Sequence, residues 1–252
     1  MVHNSLKEVP RNLKEAIDWL IALKGDDFPY HMEAMGAAVY DLLEDKPVGY
    51  TKVPALEEVK LITKKFMEQE GLKDWWPVKR LLGRFSKRMS KTGVFARRGK
   101  NDAQSEFENI VQTQRIDPEA MAAKVAEVVY YSEKFLDKIK TPDKYIPTYS
   151  SEATWDASCA EDPEACAAIL VGIAPMLYAG LYSLWDATVT RGWNESNDVV
   201  ENRVRGVLKA VGFEEPQCRA NMGILDVVRA FKGVDERIFT ILYDLAGFWA
   251  FY

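Results

Sequence analysis

Apolar residues recur along most of this chain at helical spacing, and one stretch departs from that pattern by being apolar on every side. From Ala165 to Trp185 the sequence ACAAILVGIAPMLYAGLYSLW carries no charge over 21 residues. Asp162-Pro163-Glu164 stands before it as a start signal. The aspartate accepts a bond from an orphan backbone N–H, proline at the first helical position gives up no donor, and glutamate suits the positive end of the dipole. At 1.5 Å per residue the run predicts a helix about 31 Å long, enough to cross a domain or a bilayer. A helix of this kind has to be buried in one of those two solvents. Pro175 removes the hydrogen bond to the Val171 carbonyl, which predicts a kink near Gly172 to Pro175.

The rest of the chain favours burial in protein, because its other helical segments are amphipathic and need an apolar partner. Asn12-Leu-Lys-Glu15 resembles a capping box and opens a helix with Leu13, Ile17, Leu20 and Leu23 or Ile21 on one face. A second helix is expected from about Tyr30 to Glu44, with Met35, Val39, Leu42 and Leu43 inward. A third starts at Pro54, with Leu56, Val59, Ile62 or Leu61, and Phe66 inward and Gly71 as its C-cap. A short helix from Val78 to Arg88 precedes Met89 to Ala103, a stretch rich in Gly, Ser, Lys and Arg that reads as a mobile loop. Short helical character returns at Glu106 to Gln112. Asp117-Pro118-Glu119 then repeats the start signal for a helix reaching Ile139, with Met121, Val125, Val128 or Val129, Phe135 and Leu136 inward. After the apolar helix, Ser196 or Asn197 caps a helix to Val211, another runs from Ile224 to Phe231, and a last one from Asp235 to Phe251. No alternating run bounded by hairpin signals occurs. The expectation is an all-α fold: one domain over residues 1–252, a multi-helix bundle packed around a central, kinked apolar helix.

Charge changes this picture in one place. The chain carries a net charge of −5, which speaks against general affinity for nucleic acid. Yet Lys79 to Lys100 holds nine Lys/Arg and no acid, leaving −5 − 9 = −14 for the remainder. Arg84, Lys87, Arg88, Lys91, Arg97, Arg98 and Lys100 are therefore the candidate partner-binding residues, although a charge run of this kind also serves as a solvated face.

Candidate chemistry is sparse. The two histidines are His3 and His31, and no HExxH, GxGxxG, P-loop, GxSxG or EF-hand pattern is present. Neither a catalytic residue, a metal, a cofactor nor a small-molecule substrate is expected. Of the three cysteines, Cys159 and Cys166 flank the turn containing AEDPEA and are placed to bridge; three free thiols is the alternative. A nucleophilic Cys166 would need His31 to approach it in space. The amino terminus lacks the apolar core of a signal peptide. The aromatic end ILYDLAGFWAFY suits either a docked final helix or continuation into an anchor.

Several phrases together resemble one family. PRNLKEAIDWLIALKG, PALEEVK, YSSEATWDASCAEDPEACAAILVGIAPMLYAGL and LYDLAGFWAFY are similar to the variant erythrocyte surface antigen proteins and related multigene products of Babesia parasites. The resemblance covers most of the chain outside the basic segment and carries no chemical motif. It implies a non-enzymatic helical surface antigen exported to the infected red cell, at or near its surface. Antigenic variation and adhesion to a host surface receptor, with antibodies as the other partners, belong to the same expectation. The chain lacks the cysteine-rich region of the larger members and a separate anchor after Tyr252, so membrane attachment stays open. The competing function is an intracellular helical binding module whose basic segment 79–100 engages nucleic acid or anionic lipid.

Overall fold

Three aspartates decide where the long helices begin. The computed structural model of this chain describes residues 2–86, 104–189, 196–219 and 222–252. Asp27, Asp117 and Asp162 each accept a bond from the backbone N–H three residues on, and each is followed by proline within the first two helical positions. Those caps open α2 (Phe28–Leu43), α6 (Pro118–Ile139) and α8 (Pro163–Ala187). Asn12 does the same for α1 (Leu13–Lys24), where the Glu15 carboxylate reaches back to the Arg11 N–H. The remaining helices are α3 (Pro54–Met67), α4 (Trp76–Ser86), α5 (Ile110–Thr113), α7 (Trp155–Ser158), α9 (Asn197–Ala210), α10 (Ile224–Ala230), α11 (Glu236–Leu245) and α12 (Phe248–Phe251). A 3-10 turn, Gln104–Glu106, precedes α5. Among the described residues the only β pairing is two isolated bridges, His3 with Tyr149 and Lys140 with Cys218. The fold is all-helical.

The apolar helix is its centre. α8 packs against α1, α2, α3, α4, α9 and α11. It is the one described helix long and apolar enough to cross a membrane, and 83% of its most apolar window is buried inside the protein. It runs without interruption through Pro175. Its two halves meet different neighbours. Gly172 lies against Leu56 and Val59 of α3, so close that an added Cβ would stand 2.5 Å from a Val59 methyl. Further along the helix, Tyr178 and Tyr182 meet Phe239 of α11 edge to face. The expected stripes Leu13/Ile17/Leu20/Leu23, Met35/Val39/Leu42/Leu43 and Met121/Val125/Val128/Phe135 are all buried in the same core.

A second close approach holds α2 to α6. Gly36 has no side chain because the Ala122 Cα of α6 would lie 2.4 Å from its Cβ. Backbones this near gain dispersion contacts along the whole crossing. The connector between α6 and α7 is tied to α1 by a buried polar cluster. Lys14 Nζ donates to Asp18 Oδ2 at 3.1 Å and to the Ile146 carbonyl at 2.9 Å, while Asp18 also accepts from the Tyr145 hydroxyl and the Thr148 N–H. Every charge in it is answered, as burial requires.

Several expectations need correction. The predicted terminal helix from Asp235 to Phe251 is two helices, because Gly247 adopts a left-handed conformation (φ 62°) and breaks the ladder between α11 and α12. Gly71 is not the cap of α3, which ends at Glu68 three residues earlier. Trp185, expected inside, is 41% exposed at the end of α8. Leu61 faces out and Ile62 is half-buried, so Ile62 is the residue that packs inward. The stretch 89–103, read as a mobile loop, lies outside the described residues.

Replacing Leu177, fully buried on α8, with Asp places an unpaired charge in the core. The cost is several kcal/mol against a total stability of about 5–15 kcal/mol, so the circular-dichroism signal of the folded state should be lost. Two glycine substitutions make a gentler test. Gly36→Ala should lower stability by about 1–3 kcal/mol through overpacking against Ala122. Gly206→Ala, on an exposed face with open space around it, should raise it by about 0.5–1 kcal/mol. Equal thermal shifts for the two variants would refute the close approach.

Candidate functional site

Besides an opening of about 590 Å³ between α6 and α11, the described residues form a cleft of ligand size, about 740 Å³, between α4, α8, α10 and α11. Its walls come from helical spacing. Tyr178, Tyr182 and Trp185 lie at i, i+4 and i+7 on the last turns of α8, and Phe239 and Tyr243 lie one turn apart on α11. Trp76, 59% exposed at the start of α4, forms the opposite lip. The rings meet mostly at steep angles: Tyr182 stands at 69° to Trp185 and 62° to Phe239, with centroids 5.4 and 5.2 Å apart. Tyr178 and Tyr182 are near parallel at 5.6 Å.

Charged side chains of both signs line this cleft. Arg80 lies over the Trp76 and Tyr243 rings, 5.9 and 5.8 Å from their centroids. Its positive charge opposes the rise in the Tyr178 hydroxyl's pKa, which burial and then Tyr182 push up to about 12. Around Tyr182 the field has the other sign. Burial raises the pKa of that hydroxyl first, and the carboxylates of Asp186 and Glu236 raise it further. Burial also raises the Asp244 carboxyl, against the nearby Ser105 hydroxyl and the charge of Lys124.

Below the cleft sits a buried carboxylate. Glu106, 1% exposed, pairs with Arg80 at 3.0 Å and with Arg84, and it accepts a hydrogen bond from the Tyr243 hydroxyl. This clamp joins α4 to the 3-10 turn and α11, and it closes the chain on both sides of residues 87–103. Arg84, one of the partner-binding candidates read from the basic run, is thus engaged inside the molecule by Glu106. The other candidates there, Lys87, Arg88, Lys91, Arg97, Arg98 and Lys100, lie outside the described residues.

The cysteines resolve in one way. Cys159, at the end of α7, and Cys166, in the first turn of α8, form a disulfide with Cα atoms 5.8 Å apart, so Cys166 offers no thiolate. Its suggested partner His31 is engaged elsewhere: Nδ1 lies 3.0 Å from the Lys24 carbonyl and the ring stacks on Trp155. Cys218 is a free thiol, buried, with its pKa pushed up to about 11 mainly by that burial. Among the described residues no group of three or more His, Cys, Asp or Glu is placed to hold a metal ion.

Sequence reasoning named neither the cleft nor Glu106. The i, i+4, i+7 spacing of Tyr178, Tyr182 and Trp185 was the available signal, but it does not say which face stays open. Comparison with protein-family models, curated proteins and solved structures finds no match for this chain.

Removing the buried carboxylate with Glu106→Ala should cost about 3 kcal/mol, because two arginines lose their counter-charge. A fall in the urea midpoint checks it, and an unchanged midpoint would refute the clamp. Stability should also decline at alkaline pH. The Cys218 thiol and Tyr178 hydroxyl hold their protons more tightly when folded than when unfolded. Their contribution is whole below the ordinary thiol value of about 8.5 and is lost as pH rises through about 11 and 12. Urea midpoints at pH 7, 9 and 10.5 should fall in that order.

Proposed function

We propose that this chain is a non-enzymatic helical surface antigen of the infected red cell, akin to the variant erythrocyte surface antigens that its phrases resemble. The observation that carries the reading is the Cys159–Cys166 disulfide. Such bonds persist in oxidising, extracellular settings and are rare where glutathione keeps thiols reduced. The buried α8 scaffold is compatible with this role, since a core held by packing tolerates change in the segments between its helices. The aromatic cleft is the contact surface of the same molecule. Trp76 and Trp185, both well exposed, are of the residue type that most often dominates binding energy. Arg84, one of the residues on which an intracellular, nucleic-acid or lipid-binding module would draw, is committed to Glu106, which lends that alternative no support.

A specific antibody applied to intact, unpermeabilised infected cells should stain their surface; signal confined to the parasite interior would sink the proposal. On protein isolated from those cells, unfolded without reductant, thiol titration should find one free thiol, that of Cys218. Three would show that the native compartment is reducing.

A further inference from the structure

Cys159 and Cys166 are both 0% exposed, although residues 160–164 of the loop they close lie at the surface. A short span near the start of the chain holds both flanks of that loop. Ser158, the buried residue before Cys159, accepts at its hydroxyl from the Leu6 N–H at 2.9 Å and from Ser5 Oγ at 3.2 Å. The carbonyl of Leu6, itself fully buried, accepts from Trp19 Nε1 of α1 at 2.8 Å. Lys7 Nζ pairs with Asp162, inside the loop, at 3.2 Å. On either side of this span the chain is tied to other residues. His3 donates its N–H to the Thr148 carbonyl and accepts from the Ser150 N–H, and the Glu8 carbonyl accepts from the Tyr149 hydroxyl. Those outer anchors do not involve the cysteine loop. Residues 5–7 between them do.

We propose that residues 5–7 are a latch on the disulfide. A reductant reaches the two sulfurs while this span is lifted from residues 158–162, and an open bridge in turn loosens the span. The reciprocity is thermodynamic: the factor by which the bridge favours docking of the span is the factor by which docking favours the bridge. The chemistry is thiol–disulfide exchange. A thiolate of a dithiol attacks one sulfur and breaks the S–S bond, leaving a mixed disulfide. The second thiol of the dithiol then displaces that cysteine. Cys159 and Cys166 end as thiols, and the dithiol ends as its own cyclic disulfide. Lifting exposes one apolar side chain, Leu6, and hands a few hydrogen bonds to water, so it needs far less than unfolding of the core. The bridge is therefore sheltered from reductant with the latch down, yet opens without loss of the fold.

Reduction of the intact, folded chain by dithiothreitol, followed by alkylation and mass measurement, reads the latch. The rate should stay nearly flat in urea well below the unfolding midpoint, because local opening exposes little surface. Ser158→Ala removes both hydrogen bonds to the span and should speed reduction about 5- to 30-fold. Lys7→Ala, at an exposed ion pair, should speed it about 3-fold or less. Gly36→Ala perturbs the contact of α2 with α6 and leaves the latch alone, so it should not change the rate. In the wild-type chain, hydrogen exchange at the Leu6 amide should quicken when the bridge is reduced, while amides in the middle of α8 stay protected. A reduction rate that climbs steeply with urea and rises in Gly36→Ala would show that the bridge opens only through global unfolding, and would overturn the proposal. An unchanged rate in Ser158→Ala would overturn it as well, as would a Leu6 amide indifferent to the state of the bridge. None of these readouts depends on where antibody staining finds the protein.

Discussion

An apolar helix with no polar face cannot be left in water, and the other helices of this protein are arranged by that fact. α8 supplies apolar surface in every direction, and the amphipathic stripes of α1, α2, α3 and α11 each need one such surface. What fixes their distances is the absence of side chains at a few points. Gly172 lets α3 sit against α8, and Gly36 lets α6 sit against α2. A layer of helices around one central helix follows, with the ends of that helix as the places where the wrapping is incomplete. The cleft lies at one of them, where α8 runs out past α11 and Trp185 reaches solvent.

The parts of this arrangement visible in the sequence are those with local causes. The start signals at Asp117 and Asp162, the all-round apolarity of 165–185 and the stripes of α1, α2 and α6 all depend on residues within a turn or two of one another. The break at Gly247 was local as well, but the aromatic run ILYDLAGFWAFY carries its apolar residues at a spacing that a continuous helix also satisfies. The cysteine bridge was one of two open readings, since proximity across a turn does not say whether sulfur atoms meet. Glu106 and the cleft were out of reach. Arg80, Glu106 and Tyr243 come together from three parts of the chain, and only the packing of α11 and α4 onto α8 brings them there.

Under the proposed function the cleft serves recognition. Its tyrosines hold their protons well above neutral pH, its arginine is occupied by ring faces and by Glu106, and its acids sit at the rim or are driven towards the neutral form by burial. Rings of this kind contribute contact area at small entropic cost, because each has only two side-chain torsions to fix. A wall built from one helix face also keeps its shape before a ligand arrives, which lowers the cost of binding.

The disulfide has a bearing on when the core can form relative to the cross-link. It joins residues only seven apart, and so short a loop removes little freedom from the unfolded chain, about 2–3 kcal/mol on the chain-entropy account. The cap of α8 at Asp162 lies inside that loop, while the core that encloses α8 draws on helices from end to end of the chain. Reduction would therefore loosen one helix start and leave the core assembled. Under the proposed export, the chain folds before the bridge forms and acquires it on leaving the reducing interior of the cell. Oxidation is then a late seal on a core that is already assembled.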